Sequence, residues 1–244
     1  MLVDPKDHRG PGDRIMIVVA HPDDAEFMCA GSVAAWVAEG REVIYTLVTS
    51  GDKGTEDEAS VPAEFAVLRE QEQRNVCDVL GVKTIEFLRQ EDGMVQNTLA
   101  LRKEIVRVIR RHKPSAIITQ NPASRWSGDY VNHPDHRATG DATMDAVFPS
   151  ARDVHMFPDL ALNEGLGAHI VDHLYLGDRS DTADVYFDVS ETIDTKVQAL
   201  MEHVSQIPDP KKLSASVRDG AALLGKKRGM GFAESFKYFY LGKG

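Results

Sequence analysis

The stretch RIMIVVA, Arg14 to Ala20, constrains the fold more than any other part of the chain. After Arg14 it holds no polar side chain. A strand built from it is apolar on both faces and has to be covered on both. Such a strand belongs inside a parallel sheet flanked by helices. The rest of the chain repeats that alternation. A helix is predicted from Asp23 to Glu39, with Pro22 near its first turn and Gly40 just past its end. The strand EVIYTLVTS (42–50) follows, then the acidic, turn-rich loop GDKGTEDEASVP, a helix over 63–80 closed by Gly81, and a strand over 84–88. The next helix, 98–112, carries Leu101, Ile105, Val108 and Ile109 on one face and leads into a strand over 115–120. Beyond the polar stretch NPASRWSGDYVNHPDHRATG, a helix is predicted from Pro134 to Val147, strands over 169–177 and 184–190, and helices near 191–205 and 211–224. The predicted class is therefore α/β, a three-layer arrangement around a mostly parallel sheet. One domain over 1–244 is expected, with its core at about 14–190 and a helical and tail segment at about 191–244.

In open sheets of this type, ligands bind beyond the carboxyl ends of the strands, where the strand order reverses. Two clusters fall at such ends. His21, Asp23, Asp24 and Glu26 arrive directly behind the first strand, and His133, Asp135 and His136 lie in the loop after the fourth. Carboxylates this close repel one another and are costly to bury without a partner, so a cation is expected to hold them together. His21 and Asp24 are three apart at a strand-to-helix turn; His133 and His136 are three apart on one side of a helical turn. Imidazole and carboxylate donors suit zinc or ferrous iron, and three protein ligands with one open position mark a catalytic rather than a structural ion. One of the adjacent pair Asp23 and Asp24 is free to bind metal while the other takes a proton from water. His133 is left to stabilise an oxyanion or to protonate a leaving group, with Asp135 expected to orient it and raise its pKa. Glu26 falls where a capping-box glutamate would sit.

The net charge of −10 argues against nucleic acid or an anionic membrane as the main partner. No apolar run is long enough to span a bilayer, and the polar first 14 residues lack the apolar centre of a signal peptide, so a cytoplasmic address is expected. Cys29 and Cys77 each sit in an amphipathic pattern and are expected as buried thiols. His169 and His173 are expected to be structural, and Trp126 and Tyr130 either stack on a substrate or pin their loop. Two rival classes fit less well. A facial-triad ferrous dioxygenase would leave Asp24 without a role. A nucleotide-binding module needs a glycine-rich turn where this chain has HPDDAE, which would repel a pyrophosphate.

AHPDDAE (20–26) and NHPDHRA (132–138) together resemble the LmbE-like, or PIG-L, N-acetylglucosaminyl deacetylases. LREQEQRN (68–75) looks like that family's Arg-x-x-Glu helix, EDGMV (91–95) like its Pro-Asp-Gly-x-Leu loop with Glu91 in place of the proline, and FAESFKYF (232–239) like its Ala-Glu-x-Phe segment. The resemblance implies a Rossmann-like zinc-dependent amidase that removes acetyl from an N-acetylated sugar or small conjugate. It implies His21, Asp24 and His136 as metal ligands, Asp23 as general base, His133 as oxyanion stabiliser or acid with Asp135 as its partner, and Arg69 and Asp92 at substrate-contacting positions. It also implies a homo-oligomer, a hexamer or a smaller ring.

Overall fold

The computed structural model describes residues 12–179 and 182–242; residues 1–11, most of the polar amino-terminal stretch, lie outside the described residues. Its centre is a seven-stranded sheet in the order β3-β2-β1-β4-β7-β9-β8. The strands are β1 (Arg14–Val19), β2 (Glu42–Thr49), β3 (Thr84–Gln90), β4 (Ala116–Gln120), β7 (His173–Gly177), β8 (Val185–Asp188) and β9 (Ala233–Tyr240). From β3 through to β7 all neighbours are parallel; β9 runs antiparallel to both β7 and β8. A separate short hairpin, β5 (Trp126–Ser127) with β6 (Tyr130–Val131), stands in the long polar loop.

β1 shows why both faces are covered. Ile15, Ile17 and Val19 point into one core, and Met16 and Val18 into the other, all at most 1 % exposed. The first core is closed by α1 (Asp24–Ala38), α2 (Pro62–Leu80) and α6 (Ile193–Met201), through Val33, Trp36, Val76, Leu80 and Ala199. The second is closed by α3 (Leu99–His112), α4 (Pro134–Asp145) and α5 (Pro158–Glu164), through Leu101, Ile105, Ala142 and Leu160. Cys29 and Cys77 are buried free thiols of the first core, as expected. No helix among the described residues is long and apolar enough to cross a membrane.

Besides the β5–β6 hairpin, which lies in a stretch that reads as loop, three elements differ from the sequence reading. No strand was expected after residue 190, yet β9 lies between β7 and β8. Its first four residues are buried and include Glu234, whose carboxylate accepts from the backbone N–H groups of Gly31 (3.1 Å) and Ser32 (2.8 Å) and pairs with buried Lys196 at 2.5 Å. A buried charge satisfied from distant elements hides a strand from any test of apolar periodicity. The strand predicted from His169 begins only at His173, because the His169 ring turns to the Pro114 carbonyl (2.7 Å) while His173 meets the Tyr238 hydroxyl (2.9 Å). α5 is a seven-residue helix, too short to show a periodicity.

The chain steps outward from β1 in both directions, through β2 to β3 on one side and to β4 and β7 on the other. β1 and β4 pair directly, Val18 opposite Thr119, so their carboxyl ends open into one crevice. α7 (Pro210–Lys226) completes the fold beside β9.

Candidate metal centre

The first cluster begins where β1 ends. His21 and Pro22 lead to Asp23, which sits at φ 100°, and α1 starts at Asp24. The Asp23 carbonyl accepts from the N–H groups of Glu26 (3.0 Å) and Phe27 (3.1 Å), closing the first helical turn. A left-handed φ is uncommon for a residue with a side chain and costs on the order of 1–3 kcal/mol. Its effect here is to aim two consecutive carboxylates in different directions. Asp24 turns inward: Oδ2 accepts from the His21 backbone N–H at 2.8 Å and lies 3.3 Å from His21 Nδ1, while Oδ1 lies 3.0 Å from His136 Nε2. Asp23 turns towards α2, where the Arg69 guanidinium meets its Oδ2 at 3.2 Å and also donates to the Pro22 carbonyl. Glycine makes room for that guanidinium: a Cβ on Gly54 would lie 2.5 Å from Arg69 Nη1.

The second cluster sits at the start of α4. His133 is the helix cap, its Nδ1 accepting from the Asp135 backbone N–H at 3.2 Å, with Pro134 behind it. His136 follows on the first turn. Its Nδ1 lies 2.9 Å from Asn132 Oδ1, and Asn132 donates through Nδ2 to the Ser124 carbonyl at 2.6 Å. With the amide oriented that way, Nδ1 donates to Asn132 and Nε2 is the ring nitrogen that faces Asp24. The three histidine rings converge, with centroids 4.8 to 5.4 Å apart.

The Asp135 carboxylate does not reach the His133 ring. It is fully buried and accepts from the N–H groups of Gly93 (2.7 Å) and Val95 (3.2 Å), and its Oδ2 lies 3.3 Å from His21 Nε2. Asp92 joins it there, with Oδ1 3.1 Å from His21 Nε2 and Oδ2 accepting from the Lys53 N–H at 2.9 Å. The expected pairing of Asp135 with His133 is thus replaced by a pairing with His21. The reason is local: from the first turn of α4 the carboxylate points back to the loop over 91–95, where the Gly93 and Val95 amides donate to it. Glu26 also departs from the capping-box geometry, because its side chain faces Gln73 and His203 rather than the Asp23 N–H.

Electrostatics follow from this crowding. Burial pushes the Asp23 carboxyl up and Asp24 beside it adds to the effect, to about 7, against the pull of Arg69. Burial would also raise Asp24, but His136 and His21 outweigh it and hold the group well below the usual carboxylate range. For His21 burial works downward, yet hydrogen bonds to Asp135, Asp24 and Asp92 overcome it and push the ring up to about 12. Asp92 is lowered to about 2, its burial offset by His21 and the Lys53 N–H. His133 goes the other way from the sequence expectation. Burial and then the charge of His21 lower it, and the attraction of Asp135 does not compensate.

His21, Asp23, Asp24, Arg69, Asp92, His133 and His136 line one cavity of about 490 Å³, with Asp135 buried behind them. Phe27, Gly51, Lys53, Gly54, Gly93, Tyr130 and Gln206 complete its wall, and no motif pointed to Gln206. Arg69 is only 3 % exposed; it lines the cavity wall, and its hydrogen bonds to Pro22 and Asp23 clamp the first turn. A second cavity of about 660 Å³ adjoins the first through Asp24, Phe27, Tyr130 and His136, and runs between the hairpin residues Trp126 and Tyr130 and the apolar face of α7.

The donors fit a divalent cation. Both ring nitrogens of His21 face carboxylate oxygens, which a neutral imidazole with one N–H cannot satisfy, so a proton or a metal ion has to stand at one of them. One nitrogen each from His21, His133 and His136 lie within 4.8 Å of one another, as do donors of His21, Asp92 and Asp135. Asp24 is the carboxylate that contacts both His21 and His136.

The GlcNAc-PI de-N-acetylase (PIG-L) family model matches residues 16–147, the segment that carries both clusters. The diacetylchitobiose deacetylase of Thermococcus kodakarensis is 30% identical over 227 residues, which cover 92% of this chain and 82% of that protein. A probable N-acetyl-alpha-D-glucosaminyl L-malate deacetylase 2 of Bacillus cereus is 27% identical over 198 residues, 79% of this chain and 83% of the relative. Among solved structures, N,N'-diacetylchitobiose deacetylase from Pyrococcus horikoshii superposes with a TM-score of 0.86 at 27% identity, covering 98% of this chain and 87% of that one. Shared fold, the matched motif segment and similarity over most of the chain agree: this chain belongs to the PIG-L, or LmbE-like, family, whose members among these relatives are deacetylases of N-acetylglucosamine-type sugars and conjugates.

Proposed function

We propose that this chain is a metal-dependent N-deacetylase, a single catalytic domain that hydrolyses the acetamide of an N-acetylglucosamine-type sugar or a small conjugate of one. What carries the reading is the separation of two adjacent carboxylates. Asp24 lies between His21 and His136, where it completes a metal-ligand set, and Asp23 is held away on Arg69 with its pKa raised to about 7. His21, Asp24 and His136 would hold the ion. Asp92 and Asp135 accept from the Nε2–H of His21, and Asn132 Oδ1 accepts from the Nδ1–H of His136, which fixes both tautomers. Zinc suits these donors, as ferrous iron does, and when bound it supplies Lewis acidity towards water and the amide carbonyl.

The protein's own groups do the rest. Asp23 accepts the proton of the attacking water, a task matched to a pKa near neutrality. The His133 Nδ1 is occupied by the Asp135 N–H, so the neutral ring keeps its proton on Nε2 and from there donates a hydrogen bond to the carbonyl oxygen as negative charge develops on it. The C–N bond then breaks, Asp23 returns its proton to the departing amine, and acetate and a free amino sugar leave. The adjoining 660 Å³ cavity offers room for the remainder of a conjugate, with Trp126 and Tyr130 on its rim. The test is a panel of N-acetylated sugars and conjugates incubated with the metal-loaded protein, with acetate and free amine measured together. Stoichiometric release of both is expected. Amine release absent across the panel, from a protein shown to hold one divalent ion, would remove the proposal.

A further inference from the structure

Asp23 occupies a backbone conformation that its own chemistry does not favour, so something has to hold it there. Arg69 accounts for one side, through the Pro22 carbonyl and the Asp23 carboxylate. The other side is held by Gln73, whose Oε1 accepts from the Asp23 backbone N–H at 3.3 Å. An amide side chain can turn over and present its NH2 group instead, which would put two donors face to face. What prevents this lies one step further back. Gln73 Nε2 donates to Glu26 Oε1 at 3.3 Å, and Glu26 Oε2 lies 3.0 Å from His203 Nε2. Glu26, Gln73 and His203 are all completely buried, so no solvent competes for these bonds. His203 Nδ1 has no partner among the described residues, which puts the ring proton on Nε2 and aims it at Glu26.

We propose that His203 is a positioning residue for the deacetylase reaction: through Glu26 and Gln73 it holds the Asp23 backbone in its left-handed conformation, and so aims the base. The inference rests on the proposed role of Asp23. It gives the turn after α6, which lies outside the family-matched segment 16–147, a part in catalysis. The same turn is tied to α2 by Ser205, whose N–H and hydroxyl both donate to Glu72 at 2.7 Å, and Gln206 reaches the Gly54 carbonyl at 2.9 Å. The turn thus has anchors of its own, and the His203–Glu26 bond is not needed merely to keep it in place.

The test is kcat, KM, metal content and thermal stability for His203→Phe, His203→Gln and Gln73→Met, each made in wild type and in Asp23→Asn, with Ser205→Ala as a control that loosens the same turn. A displaced base costs about 10–10² in rate. In wild type, His203→Phe and Gln73→Met should lower kcat by that factor while KM and metal content hold. His203→Gln, which keeps an N–H to give Glu26, should recover most of the loss, and Ser205→Ala should keep its kcat. In Asp23→Asn the same changes should have no further effect on kcat, because the group they aim is already disabled. If Asp23→Asn itself leaves kcat unaltered, the role of Asp23 fails. If Asp23→Asn is slow, but His203→Phe and Gln73→Met keep wild-type kcat or slow the Asp23→Asn protein equally, only the positioning role is overturned. Should His203→Phe fail to fold, Gln73→Met decides, since it severs the same chain one bond nearer Asp23.

Discussion

Replacing Arg69 by Met should move the acid limb of the activity profile. Arg69 is buried and its guanidinium lies 3.2 Å from Asp23 Oδ2, the one positive side chain bonded to that carboxylate among the described residues. A cation at such a distance typically holds a carboxylate down by about 1–3 pKa units. Asp23 stands at about 7 with Arg69 in place, because burial and the repulsion of Asp24 already push it up. Without Arg69 its midpoint should rise by about 1–3 units. Asp23 works as the ionised base, so activity is present above the midpoint and lost as pH falls through it. At pH 7 the ionised fraction would drop from roughly half to between about a tenth and a thousandth, a loss in kcat of about 5- to 500-fold that alkaline buffer restores. A bound cation draws both midpoints down together, so the difference between variant and wild type is the quantity to measure. The assay is kcat against pH for wild type, Arg69→Met and Arg69→Lys, with Lys giving a smaller displacement because it keeps the charge but not the fork. A limb in Arg69→Met that coincides with wild type, or lies at lower pH, would refute the assignment of Asp23 as base and Arg69 as its clamp.

Asp23→Asn should retain its metal and lose about 10²–10⁴ in kcat, and its acid limb should vanish; a metal-free Asp23→Asn protein would show that the two aspartates exchange roles. His136→Ala removes the nitrogen 3.0 Å from Asp24 and should lose ion and activity together, measured by metal analysis after dialysis; tight retention of metal would exclude His136 as a ligand. His133→Ala should keep metal and fold, lose about 10²–10³ in kcat and change KM little, with the acid limb left in place; loss of the ion would place His133 in the ligand set with His21 and His136 instead.

Much of the architecture was legible because the signals are local. An apolar strand covered on both faces, helices closed by Gly40 and Gly81, and acids with histidines directly past two strand ends are all written within a few neighbouring residues. Seven of the eight residues singled out from sequence line a single cavity, since the strand order does reverse between β1 and β4. The motifs did not reveal which partner each side chain takes. Asp135 stands two residues from His133, yet its carboxylate serves His21 and the loop at 93–95. Sequence adjacency suggested one pairing, and the direction of the first helical turn imposed another.

The sequence by itself determined the alternation of strands and helices, the two faces of β1, and the kinds of donor available at the strand ends. Those properties depend on side-chain chemistry at periods of two to four residues. Only the tertiary structure decided that Glu26 meets His203 across 177 positions, that Lys196 neutralises Glu234 inside β9, and that Asp23 and Asp24 point apart. A buried polar group is stable only beside its partner, and that partner is supplied by whichever element the packing of the sheet brings near. No local period encodes that choice, so it becomes readable once the layers are assembled.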